Sequence, residues 1–389
     1  MRIHQLLNHQ EKSSFHESAI LILSDGTEFV GNSIGFSGFS CGEVVFNTSM
    51  SGYQEIISDP SYSNQLVTLT YPHIGNVGCN KKDMESSVTH LSGLIVKNLS
   101  KFCSNYRSEE GINDFLLRNK IVGISGIDTR KLTLHLRKNG SKNGVIFSYN
   151  SKKIKEISEI REKASNFLNS FKGILGSKLA KEVSTEINYT FNKEETKKNN
   201  LDGKKNPLII VYDLGIKNNI LKILNEFECR ILVVPYDYKY EDIVALNPDG
   251  IVVSNGPGDP EPCKEIIQNV KYFVRDKIPL LGICLGHQIF AIACGAKTKK
   301  MLFGHHGANH PIQNLSTGKI YITSQNHGFV VDESSIKANL KVTHKSLFDG
   351  TIQGLQHKSA PAFSFQGHPE GSPGPRDLEN IFGQFVLSL

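Results

Sequence analysis

The sequence predicts an α/β protein in two parts: a β-rich α/β domain, then a doubly wound parallel sheet. Three observations carry this. The chain has 389 residues, more than one ordinary hydrophobic core accommodates. Its first part holds short apolar runs separated by polar turns. After Pro207, continuous apolar runs alternate with helical patterns, as in parallel strands that are buried on both faces and joined by helices.

In chain order, residues 1–18 are polar and read as an N-terminal extension. Residues 19–150 form the first domain. Ala19 to Leu23 is an apolar strand, Ser24-Asp25-Gly26-Thr27 a hairpin turn, and Gly42 to Asn47 another strand. Asp128 is placed to cap a helix carrying Leu132 and Leu136. Residues 151–206 read as a linker region rich in Lys, Glu, Ser and Asn, although 157–171 has helical spacing. Residues 207–389 form the second domain. Its strands are expected at 208–212, 230–235, 249–254, 280–283, 319–323, 341–344, 352–356 and 362–365, and a closing helix at 377–387.

Composition excludes several classes. A 39% hydrophobic and 21% charged chain is that of a soluble globular protein. The net charge of +6 is mild, and its lysines gather in the linker rather than in a basic stripe with aromatics, so no nucleic-acid partner is expected. No apolar run approaches membrane-spanning length. Seven scattered cysteines without a Cys-x-x-Cys pair suggest neither a disulfide framework nor a zinc site, and a reduced, cytoplasmic protein is expected.

The chemistry centres on Gly282-Ile283-Cys284-Leu285-Gly286-His287-Gln288. An apolar strand ends in Gly-x-Cys-x-Gly and a helical pattern begins. This is the nucleophile elbow with cysteine in place of serine. A nucleophile on such a turn sits in strained backbone, and the flanking glycines remove Cβ atoms that would clash. The helix N-terminus favours the thiolate and can receive an oxyanion. The plain alternative is a structural cysteine at a glycine-flanked strand end. A thiol nucleophile needs a base and the base an orienting group. Phe365-Gln366-Gly367-His368-Pro369-Glu370 ends the last strand, and residues two apart in extended chain share a side, so Glu370 can orient the His368 ring. His305, His306 and His310 invite a metal reading, but no cysteine accompanies them and they sit in a glycine-broken stretch expected to be loop, so none is assigned.

In these motifs the second domain resembles the triad-type glutamine amidotransferases. Residues 254–260, 303–311 and 324–329, together with 47–62, 68–78 and 126–133 of the first domain, narrow the resemblance to the small, glutaminase subunits of carbamoyl phosphate synthetases. It covers nearly the whole chain from Ala19 and is weakest over 152–205. The resemblance implies Cys284 as nucleophile, His368 as base and acid, and Glu370 as its partner. It implies a glutamine site made by Ser61, Gly256, Gly258, Leu285, Gln288, Asn326, Gly328 and Phe329. Taken alone, Ser61 is an ordinary turn serine.

The implied reaction is hydrolysis of L-glutamine through a cysteine thioester. The chain has no Gly-x-x-x-x-Gly-Lys-[Ser/Thr] loop, so no cofactor is expected on it. The resemblance supplies a large subunit that uses ATP, Mg and bicarbonate with the delivered ammonia, and the pathways of arginine and pyrimidine synthesis. The first domain is expected to dock that subunit. A free-standing γ-glutamyl hydrolase and an inactive scaffold are the competing readings.

Overall fold

The computed structural model describes residues 17–150, 156–191 and 206–389. The expected extension and the polar stretch 192–205 lie outside the described residues, apart from 17–18. The chain divides into two compact units. One comprises residues up to Ile57, Asn64–Asp83 and Leu91–Gly173; the other comprises Ser58–Ser63, Met84–His90 and Ile174–Leu389.

The first unit is built on a closed barrel. Its strands are β1 (Glu17–Leu23), β2 (Glu28–Gly35), β3 (Phe39–Asn47), β4 (Gln65–Leu69), β6 (Gly93–Ile95), β8 (Val122–Ser125) and β9 (Lys142–Asn150), while β5 (His73–Ile74) and β7 (Asn98–Leu99) pair separately. The barrel order is β1-β2-β8-β6-β4-β3-β9. Alternation along each strand decides what faces inward. Val44, Leu23 and Leu21 crowd over Gly144, where an added Cβ would meet Val44 at 2.6 Å. The intervening Ile20, Ile22, Val145 and Phe147 pack outward against Ile160 and Ala164. Those two residues lie on α4 (Glu156–Ser170), which follows α1 (Tyr53–Ser58), α2 (Ile112–Arg118) and α3 (Thr129–Asn139). Part of the expected linker is therefore a helix packed on the barrel, because Ile160, Ala164 and Phe167 recur at helical spacing on one face. Asp128 accepts from Lys131 N–H at 2.9 Å and caps α3.

The second unit carries a ten-stranded sheet of β10 (Tyr189–Phe191), β11 (Leu208–Tyr212), β12 (Arg230–Val234), β13 (Gly250–Val253), β14 (Leu280–Ile283), β15 (Thr298–Asn314), β16 (Ile320–Val331), β17 (Leu340–Ser346), β18 (Ile352–His357) and β19 (Ala362–Phe365). Its order is β10-β12-β11-β13-β14-β19-β18-β17-β15-β16. The helices are α5 (Leu179–Val183), α6 (Asn218–Glu226), α7 (Tyr240–Ala245), α8 (Lys264–Arg275), α9 (Leu285–Ala293) and α10 (Asn380–Leu387). Strands β12, β11, β13, β14 and β19 are parallel. The doubly wound sheet is thus the middle of a larger mixed one, extended by antiparallel β18, β17, β15 and β16 on one side and by antiparallel β10 on the other. Both faces of the parallel part are buried. Ile210, Tyr212, Ile251 and Val253 face one core with α8 and α9; Ile209, Val211, Val252 and Ile283 face another with α6 and α10.

The stretch expected as loop around His305, His306 and His310 is strand β15. Its pairing with β16 shifts register between Lys300 and His305 and between Gly307 and His310. Bulges absorb residues that would otherwise break a ladder, which is why the glycines misled the sequence reading. Among the described residues, no helix is long and apolar enough to cross a membrane.

Candidate active site

The chain enters the parallel sheet at β11, and the next strands are added on either side of it. This makes a switch point, and ligands bind off the carboxyl ends of strands at such points. Four segments leave those ends: 213–217 after β11, 254–258 after β13, Cys284 after β14 and 366–370 after β19.

Cys284 has φ 52° and ψ −101°, a conformation sterically costly for a residue with a Cβ. Its N–H donates to Phe365 O at 2.9 Å, which ties the elbow to the neighbouring strand end. Both glycines are required. A Cβ at Gly286 would stand 2.1 Å from Val253 O, and one at Gly282 would stand 2.6 Å from Gly286 O. The thiol is 2% exposed and donates to Asn326 O at 3.5 Å. Gly286 N–H is committed to Ser254 O at 3.1 Å. Leu285, at the first position of α9, has no carbonyl one turn back for its N–H, the situation an oxyanion site requires.

His368 Nδ1 donates to Glu370 Oε1 at 2.6 Å, with both side chains buried. Burial works against a charged imidazole, but the Glu370 carboxylate and then Cys284 outweigh it and raise His368 to about 10. His368 is therefore protonated in the resting site. The buried Nε2 interacts with the Cys284 side chain and has no other hydrogen-bond partner among the described residues. Burial would raise Glu370, yet Lys217 and His368 pull it down to about 2.

Sequence reasoning missed Lys217. It is buried, and its Nζ lies 2.9 Å from Glu370 Oε1 and donates to Gly371 O. Burial opposes its charge, and Glu370, Glu85 and Asp59 together more than restore it. A signal was present: lysine precedes α6, where a helix N-terminus disfavours a cation. Asn219 also donates from its side chain to Glu370 O, at 2.5 Å. The acid that orients the histidine is thus held from two sides.

The expected substrate residues gather round this group. Ser61 N–H donates to Asp59 Oδ1 at 2.9 Å, and Ser61 Oγ accepts from Asn255 Nδ2 at 2.9 Å. The serine lies in Ser58–Ser63, the segment grouped with the second unit. Asn326 donates to Asp59 Oδ2 at 2.9 Å and its Oδ1 pairs with His306 Nδ1 at 2.9 Å. Asp59, Asn255 and His306 were not singled out for these roles. Gln288 donates to Phe329 O at 2.8 Å and to Gln366 Oε1 at 3.1 Å. Gly256 is dictated by packing, since a Cβ there would be 2.1 Å from Leu214 O. Gly258 turns at φ +87° over Leu179, which packs with Phe329. At Gly328 an added Cβ meets nothing within 4 Å. His305 pairs with Asp349 at 2.9 Å, His327 bonds Phe329 O and Gln325, and the His310 ring packs against His305 and Phe348.

Residues 210–387 match the class-I glutamine amidotransferase family model, and residues 21–146 match the CPSase domain of carbamoyl-phosphate synthase small chains. The carbamoyl phosphate synthase small chain of Yersinia pseudotuberculosis is 52% identical over 379 residues, covering 95% of this chain and 94% of the relative. The chain belongs to the carbamoyl phosphate synthase small chain family. The Vibrio cholerae member is 51% identical over 377 residues, covering 95% and 97%, and the Salmonella typhimurium member is 52% identical over 376 residues with the same coverages. Within this family, the match to both domains distinguishes the chain from an amidotransferase domain standing alone.

Proposed function

We propose that this chain is the glutaminase subunit of a carbamoyl phosphate synthase, with Cys284, His368 and Glu370 as its catalytic residues. The observation that supports it best is the buried line Glu370–His368 set beside a cysteine on a strained elbow. The Cys284 sulfur attacks the side-chain carbonyl carbon of glutamine, and the oxyanion forms against Leu285 N–H. His368 gives its proton to the leaving nitrogen, and ammonia departs from a thioester. His368 then takes a proton from water, which attacks the thioester and releases glutamate and the thiolate. Glu370, anchored by Lys217, keeps the imidazole oriented throughout and stabilises its cation in the steps where the ring is protonated.

Ammonia freed into neutral water would be protonated and lose its nucleophilicity. It is passed to a large subunit, which combines it with bicarbonate at the expense of ATP with Mg, for arginine and pyrimidine synthesis in the cytoplasm. The first unit, which carries the small-chain domain, docks that subunit. The test is Cys284→Ser in the complete complex. Glutamine-dependent synthesis should vanish while ammonia-dependent synthesis persists. Loss of both in an assembled complex, or retention of glutamine hydrolysis, refutes the assignment.

A further inference from the structure

We propose that Gln366 is a further catalytic residue, whose side-chain amide stabilises the Cys284 thiolate; the proposal rests on Cys284 being the nucleophile. Gln366 is fully buried, and its Nε2 lies 3.8 Å from Cys284 Sγ, within the reach of a hydrogen bond to sulfur.

The orientation of this amide is fixed by a chain that begins at the backbone. Phe329 O can only accept, so the group Gln288 turns toward it is the NH2. The same NH2 reaches Gln366 at 3.1 Å, which must present its carbonyl oxygen there. The NH2 of Gln366 is thereby left facing the sulfur. Backbone holds the other end, since Gln366 N–H donates to Gln353 O at 2.9 Å.

The sulfur needs such a donor. Besides His368, its other contact is Asn326 O at 3.5 Å, an acceptor. That carbonyl suits a thiol, which can donate to it, and repels a thiolate. His368 supplies positive charge on one side but gives up its proton to the leaving nitrogen. Gln366 is a neutral donor that stays in place through the cycle. It favours the anion in the resting enzyme and again when the thioester is hydrolysed and the thiolate returns as leaving group.

The test uses the full chain with Gln366→Met and Gln366→Glu. The first replaces the donor by an apolar group of similar length; the second substitutes an acceptor. Alkylation by iodoacetamide is followed from pH 5.5 to 9.5 and read at Cys284 by peptide mapping, because Cys103 is exposed. In Gln366→Met the pH of half-maximal alkylation should rise by about one unit, so the rate falls by up to about tenfold at pH values below that midpoint and recovers in alkali. Gln366→Glu should shift it further. Glutamine kcat near pH 7 should fall in parallel, with KM changing about twofold or less. An unshifted alkylation profile in either folded variant overturns the proposal. So does failure of both variants to fold, which would make the amide a structural member of the core. If Cys284→Ser keeps glutaminase activity, the underlying assignment fails instead, whatever Gln366 does.

Discussion

Lys217 Nζ stands 2.9 Å from Glu370 Oε1, and the two side chains are 2% and 0% exposed. Removing one partner of a buried pair leaves an uncompensated charge and costs about 3–5 kcal/mol. Lys217→Met should therefore lower stability by about that amount in denaturant titration. It should also lower kcat more than it changes KM, because the carboxylate that orients His368 loses its anchor. A variant as stable and as fast as the parent would show that the lysine is incidental.

The pH dependence of stability should have two arms. Burial pushes His287 and His310 down to about 3 and His306 to about 4, and holds His327 well below its usual value. The unfolded chain binds those protons near 6.5, so the stability these neutral rings contribute is present above pH 6.5 and is lost as pH falls toward 3–4. His368 behaves oppositely. Its folded value of about 10 lies above 6.5, so its contribution is full below pH 6.5 and is lost as pH rises through 10. Melting temperature against pH should peak near neutrality. His310→Gln should flatten the acid arm and Glu370→Gln the alkaline one; an unaltered profile in both would contradict this account.

Two glycines separate packing from binding. Gly286→Ala puts a Cβ 2.1 Å from Val253 O and should cost about 3 kcal/mol. Gly328→Ala meets nothing within 4 Å, so stability should change by about 0.5 kcal/mol or less. If that open space receives glutamine, KM should rise about tenfold. A normal KM would remove Gly328 from the pocket.

The elbow stores strain at Cys284, φ 52°. Alanine would keep that strain and glycine would release it. Cys284→Gly should therefore be more stable than Cys284→Ala by about 1 kcal/mol, the reverse of the usual order outside turns. Equal stability would mean that the turn relaxes once the sulfur is gone.

The parallel part of the sheet, the elbow and the His368–Glu370 pair were legible because each is local. A buried strand is a run of apolar residues, and the elbow and the pair each lie within a few consecutive positions. The β15 strand was not, since its ladder is kept by bulges whose partners lie on β16. Lys217 was missed because its role exists only once Glu370 is brought to it from 153 positions away. Gln366 was written in the quoted motif, but its meaning depends on which way an amide points, and that is decided by Phe329 O.

Asp59 bonds Asn326 across 267 positions, and Ser61 bonds Asn255 across 194. During synthesis on the ribosome, the segment bearing Ser61 emerges early and waits for most of the chain before its partners exist. No nascent fragment ending before Asn326 can form both of these bonds. The same arrangement means that a gene cut near residue 206 would sever the amidotransferase unit from two of its own side chains.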